Sequence, residues 1–128
     1  MNKMMILVVD DNLISRLLPS FILRSLNTAV QVIECESGAE ALHILEIHQV
    51  THVLLDISMP NLDGVNVALK IRSIPKYSKI RLIAYTANTQ MADVVYLQSL
   101  GFDDVLLKPM KKTDLFKALN ILDSNNHE

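Results

Sequence analysis

The chain has 128 residues and a mass of 14.4 kDa, the size of one ordinary domain with enough apolar residues to bury a core unaided. Its formal net charge of -2 and pI near 6.0 argue against a general nucleic-acid binder, which would be basic. Cys35 is alone, which excludes an internal disulfide framework or a CxxC pair, and Cys35 reads as a small buried hydrophobe.

In chain order, Met4–Val9 reads as strand one. Lys3 followed by this run could be mistaken for a signal peptide, but Asp10 and Asp11 stop it after six residues, short of the roughly 7–15 of a signal h-region. Asn12 can cap a helix to about Leu26, with Leu13, Leu17, Leu18 and Phe21 on a helical stripe. Pro19 falls inside it, where it removes a hydrogen bond; the stripe continues through Ile22, Leu23 and Leu26. Val30–Glu34 is strand two. Ser37 and Glu40 form a capping box, and Ala41, Leu42, Ile44 and Leu45 continue helix two. Val53–Asp56 is strand three. Pro60, Asn61, Asp63 and Gly64 make a loop, and helix three runs from about Val65 to Ser73. Leu82–Tyr85 is strand four. Helix four spans about Thr89 to Leu100, with Gly101 as its stop. Val105–Leu107 is strand five. Helix five spans about Thr113 to Leu122, with Leu115, Phe116, Leu119 and Leu122 on one face. Residues 124–128 are a polar tail.

Short strands alternating with helices predict an α/β fold, a parallel sheet covered on both faces. The expected organisation is one domain over residues 1–123, with no linker and no further domain. No segment approaches the roughly 18 apolar residues of a membrane span, and a cytoplasmic protein is expected.

Polar residues collect at the predicted strand ends. Asp10 and Asp11 close strand one, Asp56 strand three, Thr86 strand four, and Lys108 follows strand five. In open parallel sheets the carboxyl ends of the strands border the ligand crevice. If strands one and three are neighbours, three carboxylates share a small space. Two like charges about 4 Å apart repel by roughly 4 kcal/mol at an effective dielectric of 20, so such a cluster calls for a cation or raised pKa values. With oxygen donors and no nearby histidine or cysteine, Mg²⁺, Mn²⁺ or Ca²⁺ is favoured over zinc. Each residue alone has a plain structural reading, as a helix cap or a solvated lysine; their common edge is the informative feature.

Other chemistries find no support. Three glycines, Gly38, Gly64 and Gly101, cannot make GxGxxG or GxxxxGK, and there is no GxSxG elbow. His48 and His52 run from a helix end into a strand and read as solvated or partly packed histidines.

The chain resembles the response-regulator receiver domains of two-component systems. The resemblance rests on Ile6-Leu7-Val8-Val9-Asp10-Asp11-Asn12, on the segment Leu54-Leu55-Asp56-Ile57-Ser58-Met59-Pro60-Asn61-Leu62-Asp63-Gly64, on Ala84-Tyr85-Thr86-Ala87 and on the segment from Leu100 through Lys108-Pro109. It covers essentially the whole chain. It implies a flavodoxin-like doubly wound sheet of five parallel strands, order 2-1-3-4-5. Asp56 would accept a phosphoryl group from a sensor histidine kinase or a histidine phosphotransfer protein. Asp11, Asp56 and the Ser58 carbonyl would bind Mg²⁺ directly, with Mn²⁺ as a possible substitute, and Asp10 would act mostly through metal-bound water. Lys108 would pair with the acyl phosphate, and Thr86 would donate its hydroxyl to it. Helix four, strand five and helix five would form the output surface for a downstream protein, and homodimerisation is possible. The protein would assist its own phosphorylation and dephosphorylation without being an enzyme on a separate substrate. Lys108-Pro109 resembles the family's cis peptide. Ser58 and Asn88 occupy positions that border the phosphoryl group.

One departure concerns Val105, where many members carry an aromatic that moves with the threonine; Tyr85 and Phe102 are the nearby aromatics. Two other readings are weighed. A hydrolase with an aspartyl-phosphate intermediate needs a second acid two residues after the nucleophile, where Ser58 stands. A phosphorylation-independent interaction module on the same fold is disfavoured by the intact set Asp11, Asp56, Thr86 and Lys108.

Overall fold

Alternating apolar runs and amphipathic segments fold into a parallel sheet with helices on both faces. The computed structural model describes residues 4–26, 30–57, 64–87 and 93–120. The strands are β1 (Met4–Val9), β2 (Val30–Cys35), β3 (His52–Asp56), β4 (Arg81–Thr86) and β5 (Asp104–Leu107). Between and after them come α1 (Leu13–Arg24), α2 (Gly38–Ile47), α3 (Gly64–Ser73), α4 (Val94–Ser99) and α5 (Lys112–Leu119), with a short 3₁₀ turn at Pro75–Tyr77. All pairings are parallel, in the order β2-β1-β3-β4-β5. The expected fold and strand order are therefore observed.

The pleat divides the core in two. Leu7, Val9, Val53, Leu55, Leu82 and Ala84 face α2 and α3, meeting Ala41, Leu45, Ala68 and Ile71. Ile6, Val8, Leu54, Ile83, Tyr85 and Leu106 face the other way, towards Leu23 of α1 and Leu115, Phe116 and Leu119 of α5. Burial on both faces explains why the strand sequences are continuous apolar runs instead of alternating ones.

Local chemistry sets the helix ends. Asn12 caps α1 by accepting from the Ser15 N–H, and Ser37 caps α2 by accepting from the Glu40 N–H. Glu40 reaches back to the Glu36 N–H rather than to that of its cap residue. The start of helix four differs from the expected Thr89: Asp93, in extended backbone, caps α4 through the Tyr96 N–H, so the helix begins at Val94; residues 88–92 lie outside the described residues. Gly101 stops α4 with φ +105°, and a Cβ there would also meet the Arg72 side chain at 2.5 Å. Helix five ends earlier than expected, at Leu119, where Asn120 turns left-handed at φ 60°. Leu122 and the polar tail lie outside the described residues.

α1 continues through Pro19, whose ring is buried, and packs inward through Pro19 and Leu23. The stripe Leu13, Leu17, Leu18 and Phe21 points outward instead, with Phe21 at 76% exposure and Ile14 at 73%. The apolar periodicity thus marks the helix but not its covered side.

Candidate functional site

Strand pairing delivers the polar residues to one edge. β1 and β3 are neighbours, with Val9 opposite Leu55, while Asp56 pairs with Tyr85 and Thr86 with Leu107. The hydrogen-bond ladder runs on past the strands: Asp10 N–H donates to the Cys35 carbonyl, Ile57 N–H to that of Tyr85 and Lys108 N–H to that of Thr86. The turns that carry Asp10, Asp56 and Lys108 are therefore each tied by backbone to a neighbouring strand.

Asp10 and Thr86 are fully buried, Asp56 nearly so, and Asp11 is half-buried. The Lys108 ammonium donates to Asp56 Oδ2 at 2.6 Å and to Asp10 Oδ2 at 3.1 Å. The cation that the acidic cluster calls for is thus supplied in part by the chain. One ammonium between two carboxylates, with Asp11 next to Asp10 in sequence, leaves the edge acidic. Among the described residues, no three acidic, histidine or cysteine side chains converge as a metal cage. Ser58, the expected carbonyl donor, Asn88 and the Met59-Pro60 turn lie outside the described residues. The donors that are described, carboxylates with no sulfur or imidazole, suit a hard cation that keeps several of its own waters.

Three supporting residues were not singled out by sequence reasoning for the roles they take. Arg16 on α1 donates from Nη1 to the Asp10 carbonyl at 2.8 Å and pairs with Glu34 at 3.3 Å, tying α1 and β2 to the acidic turn. Burial pushes the Glu34 carboxyl up, yet the Arg24 and Arg16 guanidiniums that donate to it prevail and hold it below its ordinary value. Gly64 lies against the nucleophile strand: a Cβ there would sit 2.7 Å from the Asp56 carbonyl oxygen and 2.9 Å from Ile57 Cα. Tyr85, the residue before Thr86, donates its hydroxyl to Asp10 Oδ2, and the Lys108 ammonium lies 4.5 Å from its ring centre. A spacing rule cannot find Arg16, whose partner is a backbone carbonyl. Tyr85 carries a visible signal, an aromatic with a polar tip at the last buried rung of a strand.

Lys108-Pro109 is cis, as the family resemblance implies. Val105 packs partly buried against the α2–α3 face, which Phe102 shares, whereas Tyr85 lies on the α1–α5 face. Tyr85 therefore cannot occupy the space of an aromatic at 105. Cys35 is buried, and desolvation pushes its thiol up to about 12, which fits the reading as an inert hydrophobe. His52 is partly buried, its Nε2 2.9 Å from the Leu119 carbonyl oxygen, so it serves packing and not the acidic edge. No helix among the described residues is long and apolar enough to cross a membrane.

Comparison with known proteins identifies the family and the fold. A family model described as "Response regulator receiver domain" matches residues 6–120. The transcription factor SKN7 of Saccharomyces cerevisiae is 36% identical over 114 residues, 89% of this chain and 18% of that protein. The probable transcriptional regulator ycf27 of Cyanophora paradoxa is 37% identical over 115 residues, 89% of this chain and 46% of that protein. The chain thus spans less than half the length of either relative. Among solved structures, the receiver domain of the sensor histidine kinase PA1611 from Pseudomonas aeruginosa superposes with a TM-score of 0.79 at 30% identity, covering 92% of this chain and 95% of that one. That structure has a magnesium ion coordinated in its active-site cleft.

Proposed function

The chain belongs to the response regulator receiver family, and from that premise we propose that Asp56 is its phosphoacceptor in a magnesium-dependent phosphorelay. The observation that carries this reading is the Lys108 ammonium held on the Asp56 carboxylate at 2.6 Å, at the sheet edge where Thr86 and the Asp10-Asp11 pair also arrive. Receiver domains accept phosphoryl groups from histidine kinases or phosphotransfer proteins. In the reaction, an Asp56 carboxylate oxygen forms a bond to phosphorus as the bond from phosphorus to the donor imidazole nitrogen breaks. The electron pair leaves with the imidazole, which takes a proton.

The chain's own residues divide the work. Lys108 follows the charge from carboxylate to phosphoryl oxygen, as a flexible ammonium can. Thr86 turns its hydroxyl to a phosphoryl oxygen. Gly64 keeps the Asp56 backbone in place by leaving room for it. Asp11, Asp56 and the Ser58 carbonyl would hold Mg²⁺, or Mn²⁺ in its place, with Asp10 reaching it through water. When bound, the ion offsets repulsion between the phosphoryl group and the carboxylates. Hydrolysis of the acyl phosphate, with Ser58 and Asn88 bordering the water, completes the proposed cycle.

The outward apolar stripe of α1 gives the phosphohistidine donor a surface to dock on. Ile14 and Leu18 share with Tyr85, Lys108 and Pro109 an open groove of about 370 Å³, so a helix seated there reaches the cleft. Exposed Val95, Tyr96 and Leu107 provide the output surface on α4 and β5, together with α5, biased by Thr86. Val105 is too small and stiff at χ1 to swing as an aromatic would, so the switch in this chain runs through Thr86.

A small acyl-phosphate donor with Mg²⁺ is expected to add one phosphoryl group, read by intact-protein mass. Asp56→Asn abolishes the addition; continued labelling of that variant refutes the assignment.

A further inference from the structure

Asp10 is fully buried, and both of its carboxylate oxygens accept from the chain. Oδ1 accepts from the Asn12 N–H at 2.9 Å. Oδ2 accepts both from Lys108 and from the Tyr85 hydroxyl. A carboxylate oxygen offers two lone pairs, so Oδ2 is fully engaged. The phenol comes from β4, the ammonium from beyond β5 and the amide from beyond β1. Oδ1 is therefore held by the loop that follows β1, while Oδ2 is turned across the sheet edge towards β4 and the end of β5.

We infer that Tyr85 is a positioning residue that holds Asp10 as the partner of Lys108 and so weakens the site's grip on a divalent cation. The inference rests on the phosphoacceptor reading above and deepens it. A cation settling beside Asp11 and Asp56 attracts Asp10 or a water bound to it. Every hydrogen bond that Asp10 makes to its own chain competes with that attraction. The phenol is a protonated donor throughout the ordinary pH range, since burial raises its pKa and the bond to Asp10 raises it further. The ring is a separate matter from the hydroxyl. It packs in the α1–α5 core and sits beneath the Lys108 ammonium, and phenylalanine would preserve both contacts.

The consequence is a low-affinity site by construction. Mg²⁺ must draw Asp10 partly out of a ready-made set of bonds, and its arrival is transmitted to the residue directly before Thr86. Cation occupancy and the backbone that carries the switch hydroxyl are thereby linked through one phenol.

Calorimetric titration with MgCl₂ tests this. Tyr85→Phe is expected to bind Mg²⁺ about three- to tenfold more tightly than wild type, a fraction of the worth of one hydrogen bond to a charged group. Equal or weaker affinity overturns the inference. In wild type, Mg²⁺ is expected to change the near-ultraviolet tyrosine absorbance, saturating with the calorimetric isotherm. A Tyr77→Phe/Tyr96→Phe variant, which leaves Tyr85 as the remaining tyrosine, is expected to keep that change, and a flat spectrum from it overturns the inference even if Tyr85→Phe does not fold. Failure of wild type to bind Mg²⁺ at all overturns this inference and the proposed function together. Binding with equal affinity in the two proteins overturns this inference alone.

Discussion

Lys108 bridges two carboxylates that strand pairing brings to one edge, so its replacement reads directly on the charge balance there. Lys108→Met leaves Asp10 and Asp56 buried without their ammonium. Breaking a fully buried pair from one side costs about 3–5 kcal/mol. The Lys108 side chain keeps 17% exposure, so the expected loss is nearer roughly 2–3 kcal/mol. Thermal unfolding in a chelator checks this. Added Mg²⁺ is expected to raise the midpoint of the variant by more than that of wild type, because a ligand for the folded state stabilises most where the site is least compensated. Asp10, Asp11, Asp56, Thr86 and Lys108 were legible in the sequence because each ends an apolar run, and the end of a parallel strand is a place as well as a composition. The donors to Asp10 were less so. Tyr85 reads first as a core aromatic, and only strand register brings its hydroxyl to a carboxylate 75 positions away.

At the scale of elements, β3 is tied to the end of α5 through His52. The ring lies between Thr51 and the Leu119 carbonyl, at 2.7 and 2.9 Å. Burial lowers its pKa, only partly opposed by the bond to Leu119. The folded protein therefore binds this proton less readily than the unfolded chain does. The associated stability is fully present above the unfolded value of about 6.5 and is lost as pH falls from there through the lower folded value. The urea midpoint is expected to be lower at about pH 5.5 than at about pH 7.5, and His52→Gln is expected to flatten that slope. α1 teaches a different lesson about legibility. Its period was readable, but its orientation was not, because a 3.6-residue repeat reports which side is apolar and says nothing about what covers it. Leu13, Leu17, Leu18 and Phe21 form the apolar side, while Pro19 and Leu23, displaced around the helix, are the buried ones, and Leu23 joins the core under the sheet. The late start of α4 and the early end of α5 escaped for a local reason: Asp93 and Asn120 are cap residues inside runs that propensity alone would extend.

For the molecule as a whole, two cores share one sheet, and β3 lies at its centre with both faces covered. Leu54 and Leu55 are adjacent in sequence, fully buried and on opposite sides. Leu54→Ala and Leu55→Ala are each expected to cost about 2–5 kcal/mol. Urea unfolding is expected to show one transition in each variant, since neither core has a sheet of its own. A second, separate transition would mean that the two sides come apart independently. The layered plan was legible because strands buried on both faces are apolar throughout. The motif resemblance supplied the order 2-1-3-4-5, which alternation alone leaves open.

Lys108 lies 52 positions after Asp56 and 98 after Asp10. A ribosome adding about 5–20 residues per second exposes both acids before it has made their counter-ion, leaving an interval of roughly 3–10 s after Asp56. During that interval the nascent sheet edge carries unbalanced negative charge, and ions of the surrounding medium must stand in. Synthesis of the segment just after the last strand is therefore also the moment at which the chain begins to offset that charge from within.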